Sequence, residues 1–212
     1  MGINFLKVGL LITASQLLLS SGCNKDSTRP CVNAAYSFSI SSEWSLQNEV
    51  YNVGDTLHLI STFPKTLINQ INSSAIIDYS NATEIGGSYV FYELDSTQRQ
   101  VKGAVSKFDF IPHIGTIGNG IIVPNEQKVV AYAELANNYS FNCKIVAKAK
   151  GIYAFFLSDL SCSGLRGKNC TNAGFTNTLT NTNKHINLFE YAMGRPLASQ
   201  YEIDRIYCFR VQ

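Results

Sequence analysis

The 212-residue sequence predicts a mainly β protein: an antiparallel β-sandwich with a short helix near its C-terminus and a final strand. Three observations carry that prediction. Apolar and polar residues alternate with period two along most of the chain, Gly, Asn and Pro interrupt the alternation at short intervals, and only one segment shows helical spacing. Composition narrows the class further. Hydrophobic residues make up 45%, aromatics 11% and charged residues 15%, against about 25% charged in ordinary globular domains. The aromatic content excludes a disordered chain. A net charge of +2 gives no basic stripe, so nucleic acid is excluded as a partner.

The first segment stands apart from the fold. Lys7 precedes an apolar run from Val8 to Leu19, which is shorter than the roughly 20 residues a membrane-spanning helix needs. Its length and flanks fit a signal-peptide core. Leu19-Ser20-Ser21-Gly22-Cys23 resembles the lipobox of bacterial lipoproteins. Ser21 and Gly22 match its small residues, while Ser20 departs from it, the usual Leu standing one position earlier. The resemblance implies cleavage after Gly22 and diacylation of Cys23; the alternative is an ordinary secretory signal with a coincident cysteine. The expected organisation is a signal peptide over 1–22, a lipidated tether over 23–30 and one sandwich domain over 31–212 with a helix–strand appendage. Two or three acyl chains anchor a protein stably. Lys25-Asp26 partly resembles the export signal of surface lipoproteins in Bacteroidota, and Asn24 is not the aspartate of an inner-membrane retention signal. Both imply the outer membrane, with a periplasmic or a surface-facing domain.

Strands follow in order. Tyr36, Phe38 and Ile40 alternate with Ser37, Ser39 and Ser41, giving one apolar and one polar face. Thr56 to Phe63, Ser88 to Leu94, Ser106 to Ile111 and Lys128 to Leu135 repeat the pattern. Tyr139, Phe141, Cys143, Ile145 and Ala147 form its clearest instance, and Ile152 to Ser158 is apolar on both faces, as in a strand buried on two sides. Tyr51-Asn52-Val53-Gly54-Asp55-Thr56-Leu57 resembles the turn into a core strand of extracellular immunoglobulin-like modules. That resemblance implies an immunoglobulin-like sandwich. Thr176 to Asn183 is polar and repetitive, expected as a surface loop or edge strand. His185, Leu188, Phe189, Ala192 and Met193 then recur at helical spacing, with Asn183 as N-cap and Gly194 and Pro196 as the stop. Asp204 to Val211 returns to strand composition. As a whole the chain resembles small envelope lipoproteins of Bacteroidota, a likeness of organisation that implies no particular activity.

With Cys23 acylated, Cys31, Cys143, Cys162, Cys170 and Cys208 remain, an odd number. Export permits disulfides, and the glycine-containing loop between Cys162 and Cys170 is expected to close a local one; the pairing of Cys31, Cys143 and Cys208 stays open. No Cys-x-x-Cys pair exists and the histidines are scattered at 58, 113 and 185, so neither a metal nor any other cofactor is expected. The oxygen-bearing run Asp78, Ser80, Asn81, Glu84 lacks EF-hand order and reads as a hydrated loop.

Catalytic signatures are sparse. No Gly-x-Ser-x-Gly elbow occurs. A glycosidase needs two carboxylates across a cleft; the 15 acidic residues allow many pairs, and the candidates are Glu93 with Asp95, or Glu43 as an acceptor beside Trp44 stacking on a sugar ring. Trp44 is either a sugar-stacking residue or, the favoured reading, part of the core. Pro112 to Gly120, with His113, reads as a long glycine-rich loop and a candidate contact surface. Arg166 and Lys168 could bind an anion. Asp26-Ser27-Thr28, Asp55-Thr56-Leu57 and Asp95-Ser96-Thr97 resemble the O-glycosylation pattern of Bacteroidota. The expected function is therefore a membrane-anchored, non-enzymatic binding or structural module for an envelope protein or glycan, the alternative being a glycan-degrading hydrolase with paired carboxylates.

Overall fold

The computed structural model describes residues 35–72 and 75–212. The expected leader and tether, the lipid-attachment candidate Cys23 and Cys31 lie outside the described residues. The strands are β1 (Tyr36–Trp44), β2 (Val50–Tyr51), β3 (Thr56–Pro64), β4 (Thr66–Ile68), β5 (Ile76–Asp78), β6 (Ile85–Asp95) and β7 (Gln100–Gly103). They continue with β8 (Phe108–Ile114), β9 (Thr116–Asn119), β10 (Gln127–Ala131), β11 (Ala133–Glu134), β12 (Asn138–Ala147), β13 (Gly151–Cys162) and β14 (Ala173–Leu179). Two helices, α1 (Ile186–Met193) and α2 (Gln200–Ile203), precede the last strand, β15 (Ile206–Val211). The chain is mainly β with a short helix and a final strand, as its periodicity predicts.

Two layers form the sandwich. In the first, β12, β3, β1 and β14 are neighbours, with β8 and β11 beyond β12. In the second, β15, β13, β6, β10 and β9 are neighbours, with β2 beside β15 and β7 beside β6. Most pairs are antiparallel, but β1 runs parallel to β14 and β15 parallel to β2. The layers share hydrogen bonds along one side: the first half of β13 pairs with β15, and its last residues pair with β14 after a bulge between Leu157 and Leu160. On the other side the chain crosses between layers twice, from β8 to β9 at Gly115 and from β10 to β11 at Tyr132. Gly115 has φ +80°, and a Cβ there would lie 2.5 Å from the Ala131 carbonyl oxygen. Only glycine fits that crossing.

Alternation decides what is buried. Phe38, Ile40, Ser42 and Trp44 of β1 point inward, and Ser39, Ser41 and Glu43 point out. Aromatic rings then meet across the layers: Trp44 with Phe155 at 4.8 Å, Phe108 with Tyr153 at 4.9 Å and Tyr89 with Phe141 at 5.7 Å between centroids. Each such pair adds about 0.5–1.5 kcal/mol beyond its area burial. The two-sided apolar character of Ile152 to Ser158 has its cause in α1. Leu188, Phe189, Ala192 and Met193 pack on the outer face of the second layer against Ala154, Leu94, Ile206 and Cys208.

The helix stops at Gly194 as expected, but its N-cap is His185, without a side-chain cap, and not Asn183. His185 precedes it in the left-handed region at φ +49°, Asn183 Oδ1 accepts from the His185 amide at 3.2 Å, and Gly194 ends it at φ +65°. The one-turn α2 carries a capping box between Ser199 and Glu202.

Two expectations need correction. Thr176 to Asn183 is not an exposed loop or edge, since its first part belongs to β14, between β1 and β13. Asn177 is bonded there through its Oδ1, which accepts from the Ser42 hydroxyl at 2.9 Å inside the sandwich, while its buried Nδ2 has no partner among the described residues. Asn181 lies beyond β14 and extends the pairing with its side chain, accepting from Trp44 N and donating to Trp44 O, both at 2.9 Å. Pro112 to Gly120 is likewise no long loop. It is mostly strand, β8 and β9, bent at Gly115.

Candidate binding face

The outer faces of the two layers differ. The second is covered over part of its area by α1, whereas the described residues place no helix on the first. Strand alternation turns Ser39, Ser41 and Glu43 of β1 and Thr176 and Thr178 of β14 outward. The parallel register sets Ser39 beside Thr176 and Ser41 beside Thr178, so hydroxyls repeat at about 4.8 Å across strands and about 6.7 Å along them. Thr62 of β3 continues the rows and shares a 2.8 Å hydrogen bond with the Ser140 hydroxyl. Two depressions lie on this face and share Ser41 and Thr62. One, about 340 Å³, runs toward Glu43, Ile60 and Thr180. The other, about 540 Å³, is walled by Pro64, Thr66, Leu67 and Ile68.

Polar groups also lie directly beneath the face. Ser61 donates to the Ser41 carbonyl at 2.8 Å, and the Tyr89 and Tyr132 hydroxyls meet at 2.9 Å. Burial raises the pKa of both tyrosines, so they stay neutral hydrogen-bonding groups. The face therefore rests on buried polar side chains, most of them hydrogen-bonded.

A third depression, about 430 Å³, lies at another part of the surface among Glu93, Asp95, Lys102, Tyr191 and Arg210. It brings together the carboxylates Glu93 and Asp95 that the sequence offers as a pair. Asp95 is already engaged: it accepts from Lys102 Nζ at 2.7 Å and from the Thr97 and Gln98 amides. The Lys102 ammonium and those amides hold its carboxyl below the usual carboxylate range. A general acid needs the opposite shift. Glu43 beside Trp44 fails by geometry, because the two are consecutive in β1 and face opposite sides.

The remaining sequence candidates do not converge. Trp44 is 1% exposed and packs against Phe155, Tyr207 and Phe209; it is a core residue, not a ligand platform. His113 is exposed on β8, after Pro112. Arg166 and Lys168 are exposed in the β13–β14 connection, which turns at Gly167 with φ +73°. The expected Cys162–Cys170 bridge is absent. Cys162 is a free, buried thiol at the end of β13, bonded to the Gly164 carbonyl at 3.3 Å, while Cys170 sits exposed at φ +52° and is disulfide-bonded, its partner not among the described cysteines. An inward strand residue and an outward turn residue do not meet. Asp78 accepts from Ser80, and among the described residues no group of three His, Cys, Asp or Glu side chains converges on a metal site.

The hydroxyl rows are the feature that motif reading missed. Their signal was present as Ser-x-Ser-x-Ser in one strand and Thr-x-Thr-x-Thr from Thr176. Neither run reveals that the strands are neighbours.

The chain matches no protein family, and no curated protein matches it. Among solved structures, it is similar to a cohesin module of a family 33 glycoside hydrolase from Clostridium perfringens, at 10% identity and a TM-score of 0.33 over 66% of this chain and 98% of that one. A type II cohesin domain from the cellulosome of Acetivibrio cellulolyticus is similar at 11% identity and a TM-score of 0.33, over 66% of this chain and 91% of that one.

Proposed function

We propose that this chain is an outer-membrane lipoprotein, cleaved after Gly22 and acylated on Cys23, whose sandwich is a non-enzymatic binding or structural module for an envelope protein or glycan. The observation that supports binding is the bare hydroxyl face of β3, β1 and β14, with its two joined depressions. Hydroxyl rows on a stiff sheet supply many weak donors and acceptors in fixed positions. They contain no nucleophile–base pair. The lipobox residues support anchoring, and two or more acyl chains give the stable attachment such a module needs.

The test is substitution on the face. Ser41→Arg and Thr178→Arg place long cations on exposed or half-exposed positions whose backbone pairing stays intact. The wild-type protein, isolated with its envelope partner or glycan, is expected to lose it in the double variant while its circular dichroism is unchanged. Undiminished binding by the double variant would remove the face from the account. Intact mass of the protein from its native envelope tests the anchor separately.

A further inference from the structure

The described chain begins at one end of the sandwich, where the Ala35 and Tyr36 amides donate to Asn172 O at the foot of β14. The hairpin of β4 and β5 is tied to the same end. Gln70 N donates to Ser37 O at 2.7 Å, and Asn69 Oδ1 accepts from Ser37 N at 3.1 Å. This hairpin buries Leu67 and turns isoleucines the other way. Ile68 and Ile76 face each other across its two strands, 54% and 69% exposed, and Ile71 beyond them is 65% exposed. Leu135 is exposed nearby, in the turn whose Asn137 carbonyl accepts from Lys65 N. Charges at this end offset one another. Lys65 pairs with Glu134 at 2.8 Å, and Lys168 and Lys65 both act on Asp78. A cluster of exposed large apolar side chains with little net charge marks a surface that something covers.

We infer that this end of the sandwich rests on the bilayer, with Ile68, Ile71 and Ile76 at the boundary between headgroups and acyl chains. The inference rests on the reading of Cys23 as acylated. Chain length selects lipid as the occupant. Eleven residues lie between Cys23 and Ala35, a span that reaches at most about 43 Å fully extended. An acylated Cys23 thus keeps this end close to lipid at high effective concentration. Ile121 and Ile122, exposed in the β9–β10 connection, lie away from this end, since Gln127 just beyond them pairs with Val90 in the middle of β6. Apolar side chains beside a lipid anchor supply a second, weak attachment. That attachment orients the domain, so that the hydroxyl face stands across the membrane plane.

The experiment places the acylated full chain in phosphatidylcholine vesicles and reads depth with an environment-sensitive fluorophore at Ile71→Cys, with Ile122→Cys as the distal control. Acylation is first read by intact mass. The expected result is blue-shifted emission from position 71 that doxyl-labelled lipids quench, with emission from position 122 unshifted and unquenched. Adding Ile68→Ser and Ile76→Ser, exposed changes that leave the core intact, should abolish the quenching at position 71 while the protein stays anchored. An acylated protein whose label at position 71 stays in water overturns this inference and leaves the anchor standing. Shielding without quenching by lipid identifies a protein contact and overturns it too. An unacylated Cys23 removes both the anchor and the contact.

Discussion

Replacing Trp44 by Ala separates the core assignment from the sugar-platform alternative most sharply. The indole is 1% exposed, with Phe155, Tyr207 and Phe209 centroids at 4.8, 5.4 and 6.5 Å. About 200 Å² of side chain at about 25 cal/mol per Å² gives about 5 kcal/mol of transfer free energy as an upper value. Measured aromatic-to-Ala losses of about 3–5 kcal/mol agree with it. In a domain of this size each kcal/mol moves Tm by about 2–4 °C, so the loss is about 6–20 °C. Urea unfolding followed by far-ultraviolet circular dichroism is the assay, because the substitution removes the only tryptophan. Trp44→Phe should recover most of the stability, since the indole Nε1 makes no hydrogen bond that its removal would break. A loss below about 1 kcal/mol for the Ala variant, or loss of partner binding at unchanged stability, would refute the packing argument.

Three further outcomes follow from the same structure. Asn181→Ala leaves the buried Trp44 amide and carbonyl without the partners they have at 2.9 Å, so it should cost about 2–4 kcal/mol by urea titration; a loss under about 1 kcal/mol counts against that clasp. Asp159→Ala removes the carboxylate that pairs at 2.7 Å with Arg205, whose side chain is 4% exposed, and leaves it the Tyr201 hydroxyl and ring. Its expected loss is about 3 kcal/mol, near the low end for breaking a buried pair because Asp159 is itself half-exposed. A thermal scan indistinguishable from wild type would contradict it. Burial pushes the Cys143 thiol up to about 11 and the Cys208 thiol up to about 12, from an ordinary 9.0. Thiols whose folded pKa is raised contribute stability that is complete below pH 9 and is lost as pH rises toward 11–12, because the unfolded chain releases those protons first. The urea midpoint should therefore fall above pH 9 and fall less in Cys208→Ala, and native alkylation should leave both cysteines unmodified; an equal fall in that variant contradicts the assignment to Cys208.

Much of the fold was legible because burial and period-two spacing coincide. Phe38 and Ile40 in β1, and Tyr139 to Ala147 in β12, each read correctly because their inward positions are mostly apolar. The helix read correctly for the same reason at period 3.6. Reading failed where polar residues face inward. Asn177 and Ser42 hide inside the sandwich by bonding each other, and such pairing is a tertiary fact that composition does not carry. It failed again at Cys162 and Cys170, where loop length suggested closure but one side chain points into the core and the other to solvent. The candidate face was hidden for a related reason. Ser39 and Thr176 are 137 positions apart in sequence, and only the parallel pairing of β1 with β14 makes them neighbours.

The central claim is that the acylated sandwich meets its partner through the exposed face of β3, β1 and β14. Photo-crosslinking in the native envelope addresses it directly, with the reactive group placed at Ser41 and, for comparison, at Tyr191 on α1, which is exposed over the other layer. The account predicts a discrete adduct from Ser41 that Thr178→Arg abolishes, and none from Tyr191. An adduct from Tyr191 alone, or no dependence on Thr178, would contradict it.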